Sequence, residues 1–151
     1  MCASLNNFFK EGNYKLTVII EPSCTFPDGN TRNGSANVKK IYSCKNPKKL
    51  LSVVIRGKNN LALSEQSFIE DGSWIYSTSL GTAYAGIVKN IKKICDNKII
   101  ICGKGYSESV GENIKLKIIT SKTDVGFTEY FYYLKNKRYE LFTKRIFEKE
   151  V

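Results

Sequence analysis

Hydrophobic and polar residues alternate along most of the chain, in short runs that turn-forming residues separate. In the run that contains Tyr14, Leu16, Val18 and Ile20, every second side chain is apolar and would share one face of a strand. β-Branched and aromatic residues are frequent in such runs, and clusters of Gly, Asn, Asp and Lys lie between them. This pattern predicts a protein built from an antiparallel sheet.

The pattern predicts ten strands, most of them joined by links of hairpin length. Their predicted bounds are Asn13 to Glu21, Ala36 to Cys44, Leu50 to Gly57, Leu61 to Glu70, Ser73 to Leu80, Tyr84 to Ile94, Lys98 to Ser107, Ile114 to Lys122, Gly126 to Leu134 and Arg138 to Glu148. The segment from Pro22 to Ser35 is predicted to be a long polar loop, because its Pro-Asp-Gly-Asn core favours a turn. Ser4 to Glu11 predicts one short helix that Ser4 caps and Gly12 ends.

Eight to ten strands after one helix indicate either a closed up-and-down barrel or a sandwich. We favour the barrel, since closing a meander removes its two unpaired edges. The chain has 151 residues, which is near the usual size of one domain. We therefore expect residues 1–151 to form a single β-barrel domain.

The last predicted hairpin has a face of mixed chemistry. If Asn136 and Lys137 form a two-residue turn, Phe131 lies opposite Phe142, and Glu129 lies opposite Lys144. The residues that then share one surface are Glu129, Phe131, Tyr133, Arg138, Glu140 and Phe142. Rings mixed with charges are typical of a ligand cavity wall, and a solvent-facing side is the equal alternative. The single Trp74 is predicted to be a core residue, with a ligand wall as the alternative.

Composition narrows the possible chemistry. The chain has no histidine, so a Ser-His-Asp or Cys-His nucleophile and an imidazole metal site are excluded. Its five cysteines, an odd number without a CxxC pair, are expected to be inert thiols without a structural zinc. Because Met1 to Lys10 carries no signal-like apolar run, we expect a reducing compartment. The apolar runs are too short to span a membrane.

The chain is basic, with 24 Lys and Arg against 14 Asp and Glu and a net charge of +10. Lysines beside aromatic residues can bind single-stranded nucleic acid, but no RNP-like motif is present. Solubility and protection of strand edges are the preferred explanation of the scattered lysines. In either case, the charge favours acidic partners or anionic ligands.

Four segments of the C-terminal third form a recognisable series. Gly103 to Ser107 reads G-K-G-Y-S, Ile114 to Ser121 reads I-K-L-K-I-I-T-S, Glu129 to Tyr133 opens with a glutamate, and Asn136 to Arg138 ends in an arginine. Nearer the N-terminus, Phe-Phe is followed by Gly-Asn-Tyr at Gly12. Together these segments resemble the S/U type phycobiliprotein lyases. Tyr130 stands where that family has an arginine, which is a departure from its pattern.

The resemblance implies a lipocalin-like (calycin) barrel that binds a linear tetrapyrrole, or bilin. The barrel would attach or deliver the bilin to a cysteine of a phycobiliprotein subunit, as a lyase or a chaperone. The implied substrate ligand is phycoerythrobilin or phycocyanobilin, with no prosthetic group and no metal. Glu129 and Arg138 match the family's glutamate and arginine, which would face the bilin as catalytic residues. The aromatic residues expected to bind the ligand are Tyr14, Trp74, Tyr106, Phe131, Tyr133 and Phe142.

The implied partners are the bilin and an acidic phycobiliprotein subunit, in the cytoplasm or in the plastid stroma of a eukaryote. A homodimer is compatible with this reading, and nucleic acid is the less favoured partner. Two other functions fit the same sequence. One is a non-catalytic, lipocalin-like carrier of another small apolar or anionic ligand, and the other is a basic module that binds nucleic acid or an acidic protein.

Overall fold

The computed structural model describes residues 5, 8–22, 27–41, 48–79, 83–92, 97–107 and 111–151. Ten strands lie in these residues. They are β1 (Gly12–Ile20), β2 (Asn30–Lys40), β3 (Lys49–Arg56), β4 (Ala62–Ile69), β5 (Ser73–Thr78), β6 (Ala83–Lys92), β7 (Lys98–Ser107), β8 (Glu112–Lys122), β9 (Gly126–Lys135) and β10 (Arg138–Lys149). A short 3-10 helix, Lys58–Asn60, joins β3 to β4.

The strands form a closed antiparallel barrel in which neighbours along the chain pair with each other. The barrel closes where β10 pairs with β1, from Tyr14 opposite Lys149 to Ile20 opposite Thr143. The predicted all-β, closed up-and-down barrel is thereby confirmed, and it is consistent with a lipocalin-like architecture. Alternate side chains of each strand point inward. In β8, for example, Ile114, Leu116 and Ile118 are buried.

The long polar loop predicted from Pro22 to Ser35 is wrong over its second half. Asn30 to Ser35 belongs to β2, which pairs with β1 over the whole length of β1, from Gly12 opposite Val38 to Ile20 opposite Asn30. None of these residues has an apolar side chain, and most are exposed, so they carry no apolar alternation. Pairing with an apolar neighbour strand keeps them extended, against their local preference for turns.

The last hairpin has the predicted turn but not the predicted register. Asn136 and Lys137 have φ of 51° and 65°, as a two-residue turn of type I′ requires. A β-bulge then shifts the pairing between Leu141 and Thr143, so that Thr143 rather than Phe142 lies opposite Phe131. Beyond the bulge, Arg145 rather than Lys144 lies opposite Glu129.

A segment ahead of β1 packs across one end of the barrel, which we call the base. The predicted helix from Ser4 to Glu11 is not seen among the elements of the described residues, and much of its first half lies outside them. Leu5, Phe8 and Phe9 are buried, and the Phe9 backbone N–H donates to the Leu5 carbonyl over 2.9 Å. The Phe9 ring lies 4.9 Å from the Phe127 ring and 5.1 Å from the Phe68 ring, between centroids.

Two facing glycines bring β6 and β7 unusually close beside the indole of Trp74. Gly86 lies opposite both Trp74 on β5 and Gly103 on β7. A Cβ atom on Gly86 would lie 2.5 Å from the carbonyl oxygen of Cys102. Glycine is therefore required where the two backbones approach, and the large Trp74 side chain fits inside the barrel next to them.

Candidate functional site

A chain of polar side chains crosses the barrel interior from β5 to β10. The Trp74 indole N–H donates to Gln66 Oε1 over 2.9 Å, and Gln66 Nε2 donates to Glu129 Oε2 over 2.6 Å. On the other side of the carboxylate, Arg145 Nε donates to Glu129 Oε1 over 2.8 Å. Arg145 Nη1 in turn donates to the Tyr76 hydroxyl over 3.2 Å. The barrel therefore buries an ion pair that neutral polar groups hold on both sides.

The carboxylate and the guanidinium of this pair are almost completely shielded from water. Glu129 is 0% exposed and Arg145 4%. Removing two such charges from water costs several kcal/mol each, of the order that their attraction and hydrogen bonds can offset. Burial lowers the pKa of Arg145, but the Glu129 carboxylate and the Tyr76 hydroxyl raise it, and the balance lies above its ordinary value. Arg145 is thus a buried cation.

Arg145 retains unused hydrogen-bonding capacity. A guanidinium has five N–H donors, of which Nε and one N–H of Nη1 are engaged as described above. Nη2 lies 2.6 Å from Glu129 Oε1, yet it is not aligned to form a hydrogen bond with any described group. The rings of Phe131 and Tyr76 flank the guanidinium, with centroids 4.3 Å and 5.4 Å from Cζ. They hold its plane in place, since a guanidinium stacks favourably on aromatic faces.

A cavity of about 430 Å³ opens at the end of the barrel opposite the base, which we call the mouth. Arg145, Tyr76 and Thr143 are among its lining residues, so the buried cation borders the cavity. Most of the remaining wall is apolar. Its aliphatic residues are Leu16, Val18, Ile20, Ile55 and Leu63.

Two further arginines, Arg32 on β2 and Arg56 on β3, lie around the mouth. Arg56 is held in place, because its Nε donates to Asn37 Oδ1 over 2.5 Å and its Nη1 donates to the Asn60 carbonyl over 3.1 Å. With Arg145, these residues give the cavity three cations. No Asp or Glu is among the described residues that line it.

The predicted site residues divide between the interior and the outer surface. Glu129, Trp74 and Phe131 lie inside, next to the ion pair, and Tyr133 and Phe142 pack against the core closer to the mouth hairpin. Tyr14 is buried at the base, where its hydroxyl donates to the Lys10 carbonyl over 2.6 Å.

The other two predicted site residues are not brought to the interior. Arg138 is exposed at the start of β10, beside the turn. Tyr106 is 41% exposed and lies on the outer face of β7. The structure therefore separates Glu129 from Arg138 and places Glu129 with Arg145 instead.

Arg145, Gln66 and Tyr76 were not predicted as site residues. Beyond the bulge, the residues of β10 that face inward and those that face outward are exchanged. Alternation counted from the turn therefore places Lys144 inside, whereas Arg145 lies there. A signal for Arg145 was nevertheless present. Counting back from the apolar Phe147, which is buried, every second residue gives Arg145 as inward-facing.

The part of the chain that the structure describes contains few groups suited to metal binding or thiol chemistry. There, no three His, Cys, Asp or Glu residues come together as metal ligands would. Cys102 is a free, partly buried thiol, and the other four cysteines lie outside the described residues. Likewise, none of the described helical residues forms a helix with the length and apolar character needed to cross a membrane.

Comparison with family models and with curated proteins finds no match to this sequence. The class of protein is therefore defined by the fold and the interior: a closed ten-stranded barrel with an apolar cavity that a buried arginine borders.

Proposed function

We propose that this barrel binds an elongated, mainly apolar small molecule through its mouth, with an anionic group of the ligand bound at Arg145. The observation that carries this proposal is a buried arginine that lines a mainly apolar cavity and has N–H groups beyond those that Glu129 and Tyr76 accept. A guanidinium pairs favourably with a carboxylate, so a ligand carboxylate would accept from the N–H groups of Arg145 that are not already engaged.

The size and charge of the cavity support the same ligand class. A volume of about 430 Å³ lies within the usual range for small-molecule sites. The aliphatic wall favours an apolar ligand body, and the arginines at the mouth attract an anion. Because Glu129 already neutralises Arg145, these outer cations make the site favourable for a second negative charge.

A bilin is the ligand that we propose to test first, since the resemblance to phycobiliprotein lyases implies one. It combines an apolar length with two propionates, as the cavity chemistry requires. Both oxygens of Glu129 are engaged by protein donors, so in this proposal Arg145 rather than Glu129 or Arg138 contacts the ligand. The proposed activity is carriage of the ligand, with transfer to a partner's cysteine as a second candidate that the resemblance alone suggests.

The test compares phycocyanobilin with its dimethyl ester, which lacks the two carboxylates. Binding is followed by the visible absorption of the bilin and by quenching of Trp74, the only tryptophan in the chain, whose ring stacks on Tyr76 at 5.9 Å. We expect the free acid to bind at least about tenfold more tightly than the ester. Anilinonaphthalene sulfonate serves as an unrelated anionic, apolar probe.

The matched variants are Arg145→Met combined with Glu129→Leu, which removes the ion pair as a unit, and Arg138→Met. The first should abolish the preference for the acid, and the second should leave it unchanged. If neither probe binds the unchanged protein, the proposed function is wrong. If only the sulfonate binds and its binding needs Arg145, the carrier function stands and the bilin is excluded as its ligand.

A further inference from the structure

The outer surface of β5 to β9 has an unusual charge distribution. Its lysines are Lys98, Lys104, Lys115 and Lys117, and none of the outward-facing residues described on these five strands is Asp or Glu. The acidic residues described on the same part of the chain are Glu112 at the first position of β8, Asp124 between β8 and β9, and Glu129 inside the barrel. We call this outer surface the lysine face.

Two of its lysines oppose each other directly. Lys104 on β7 lies opposite Lys115 on β8, and both are exposed. Like charges at directly opposed positions destabilise an antiparallel pair. Protection of a sheet edge does not account for them, because β7 and β8 are paired on both sides in the closed barrel.

The lysine face also has an apolar side. Ile87 is 61% exposed and Ile75 45% exposed, on the two strands that follow β7 around the barrel. Ala85 lies between Ile75 and Lys104 in the cross-strand register, so the apolar and basic side chains are contiguous. A partner that covers this surface therefore has to present both carboxylates and apolar groups.

We propose that the lysine face binds an acidic segment of a partner protein, with carboxylates on Lys104 and Lys115 and apolar side chains on Ile75 and Ile87. Nucleic acid is a less suitable partner, because a single strand binds a basic surface by stacking its bases on exposed aromatic side chains. Of the described rings on and beside this face, Tyr106 is exposed, but Lys117 Nζ covers the Tyr139 ring at 5.5 Å and Lys144 Nζ covers the Tyr130 ring at 5.4 Å, so few rings remain for stacking. Aliphatic isoleucines offer a base no equivalent surface.

The experiment measures the fluorescence anisotropy of a labelled peptide in which leucines are interspersed among glutamates. Polyglutamate and oligothymidylate are the comparison probes. We expect the peptide to bind more tightly than either, and its affinity to fall with added salt. Lys104→Glu with Lys115→Glu should weaken peptide binding by at least about tenfold.

The matched control is Lys39→Glu with Lys49→Glu, which makes the same change in net charge on exposed residues of β2 and β3, across the barrel. Because distant surface charges are screened, we expect it to change the affinity by less than about twofold. Equal losses in both double variants, tighter binding of oligothymidylate, or no peptide binding would each overturn the proposal. Binding of phycocyanobilin by both double variants is measured in parallel, so that a failure of the proposed function is recognised separately.

Discussion

Arg145 and Glu129 affect both the stability of the fold and the proposed function. Both side chains are buried, and they form an ion pair with each other. Gln66 donates a hydrogen bond to Glu129, and the Tyr76 hydroxyl accepts one from Arg145. A hydrophobic pair of similar volume would fill the same space at no electrostatic cost. Under the proposed function, a charged pair is useful because it places a fixed donor in the wall of the cavity, at a cost to the free energy of folding.

We predict that Glu129→Gln lowers the free energy of unfolding by about 3–5 kcal/mol, because it leaves Arg145 as an uncompensated buried cation. Urea unfolding followed by Trp74 fluorescence measures this change. Removing both charges, with Glu129→Leu and Arg145→Met, should cost less than the single substitution. Glu140→Gln, the same change at an exposed position, should stay within about 0.5 kcal/mol of the unchanged protein. A loss that small for Glu129→Gln would contradict this account of the pair.

Tyr14 gives the protein a predicted sensitivity to alkali. Burial raises the pKa of its phenol above the ordinary value of 10.0, and its hydrogen bond to the Lys10 carbonyl exists only while the proton is present. Above pH 10 the unfolded chain therefore loses this proton before the folded one does. The stability that Tyr14 contributes is complete below the unfolded pKa and is lost as pH rises through the folded pKa.

We expect Tyr14→Phe to reduce the fall in unfolding free energy between neutral pH and pH values above 10. At neutral pH the variant should lose only about 0.5–1.5 kcal/mol, the usual contribution of one hydrogen bond. The measurement is urea unfolding at a series of pH values. Tyr139→Phe controls for removal of a phenol from the surface. A Tyr14→Phe profile parallel to that of the unchanged protein would show that Tyr14 is not the group responsible.

Among the elements, the segment ahead of β1 and the bulged β10 define the two ends of the interior. The segment covers the base, where Phe9 and Tyr14 meet the Phe127 ring edge to face and Phe147 stacks on it. The bulge in β10 turns Arg145 inward near the mouth. The interior at the base is thus packed with aromatic rings, and the buried ion pair lies further towards the opening.

Phe9→Ala should lower the free energy of unfolding by about 3–5 kcal/mol, because it leaves a cavity among rings that cannot collapse onto it. Thermal or denaturant unfolding measures the loss, and Tyr139→Ala provides an exposed aromatic control. Since Phe9 lies at the base, the variant should retain its binding of anilinonaphthalene sulfonate at temperatures where it is folded. Loss of binding in a folded variant would show that the base and the mouth are not independent.

The strands were predictable from sequence because apolar alternation is a local signal, and most of their predicted bounds agree with the structure to within two residues. Two elements were not predictable in this way. The first half of β2 carries turn-forming residues whose extended state depends on pairing with β1. The bulge at Phe142 has no local sequence signature. Its one extra residue moves every later side chain of β10 to the opposite face of the strand. The site was therefore half predicted: Glu129 was found, but its partner was assigned to the wrong side.

At the scale of the whole molecule, basic and acidic side chains lie in different places. Cations border the cavity and cover one outer side, whereas most of the described acidic residues lie at the ends of strands. The net charge of +10 is thus a less informative quantity than its distribution. Both proposals depend on this distribution, one inside the barrel and one outside it.

The pairing of β1 with β10 also determines when the barrel can close during synthesis. A ribosome makes β1 first, but the strand that covers its second side, with Arg145 and Phe147 on it, is made after all the others. Until β10 is made, the growing chain has no enclosed interior and no buried cation, so the proposed ligand would have no site during synthesis. Under the proposed function, loading is therefore restricted to the finished barrel, and β1 of the nascent chain stays unpaired on one side until then.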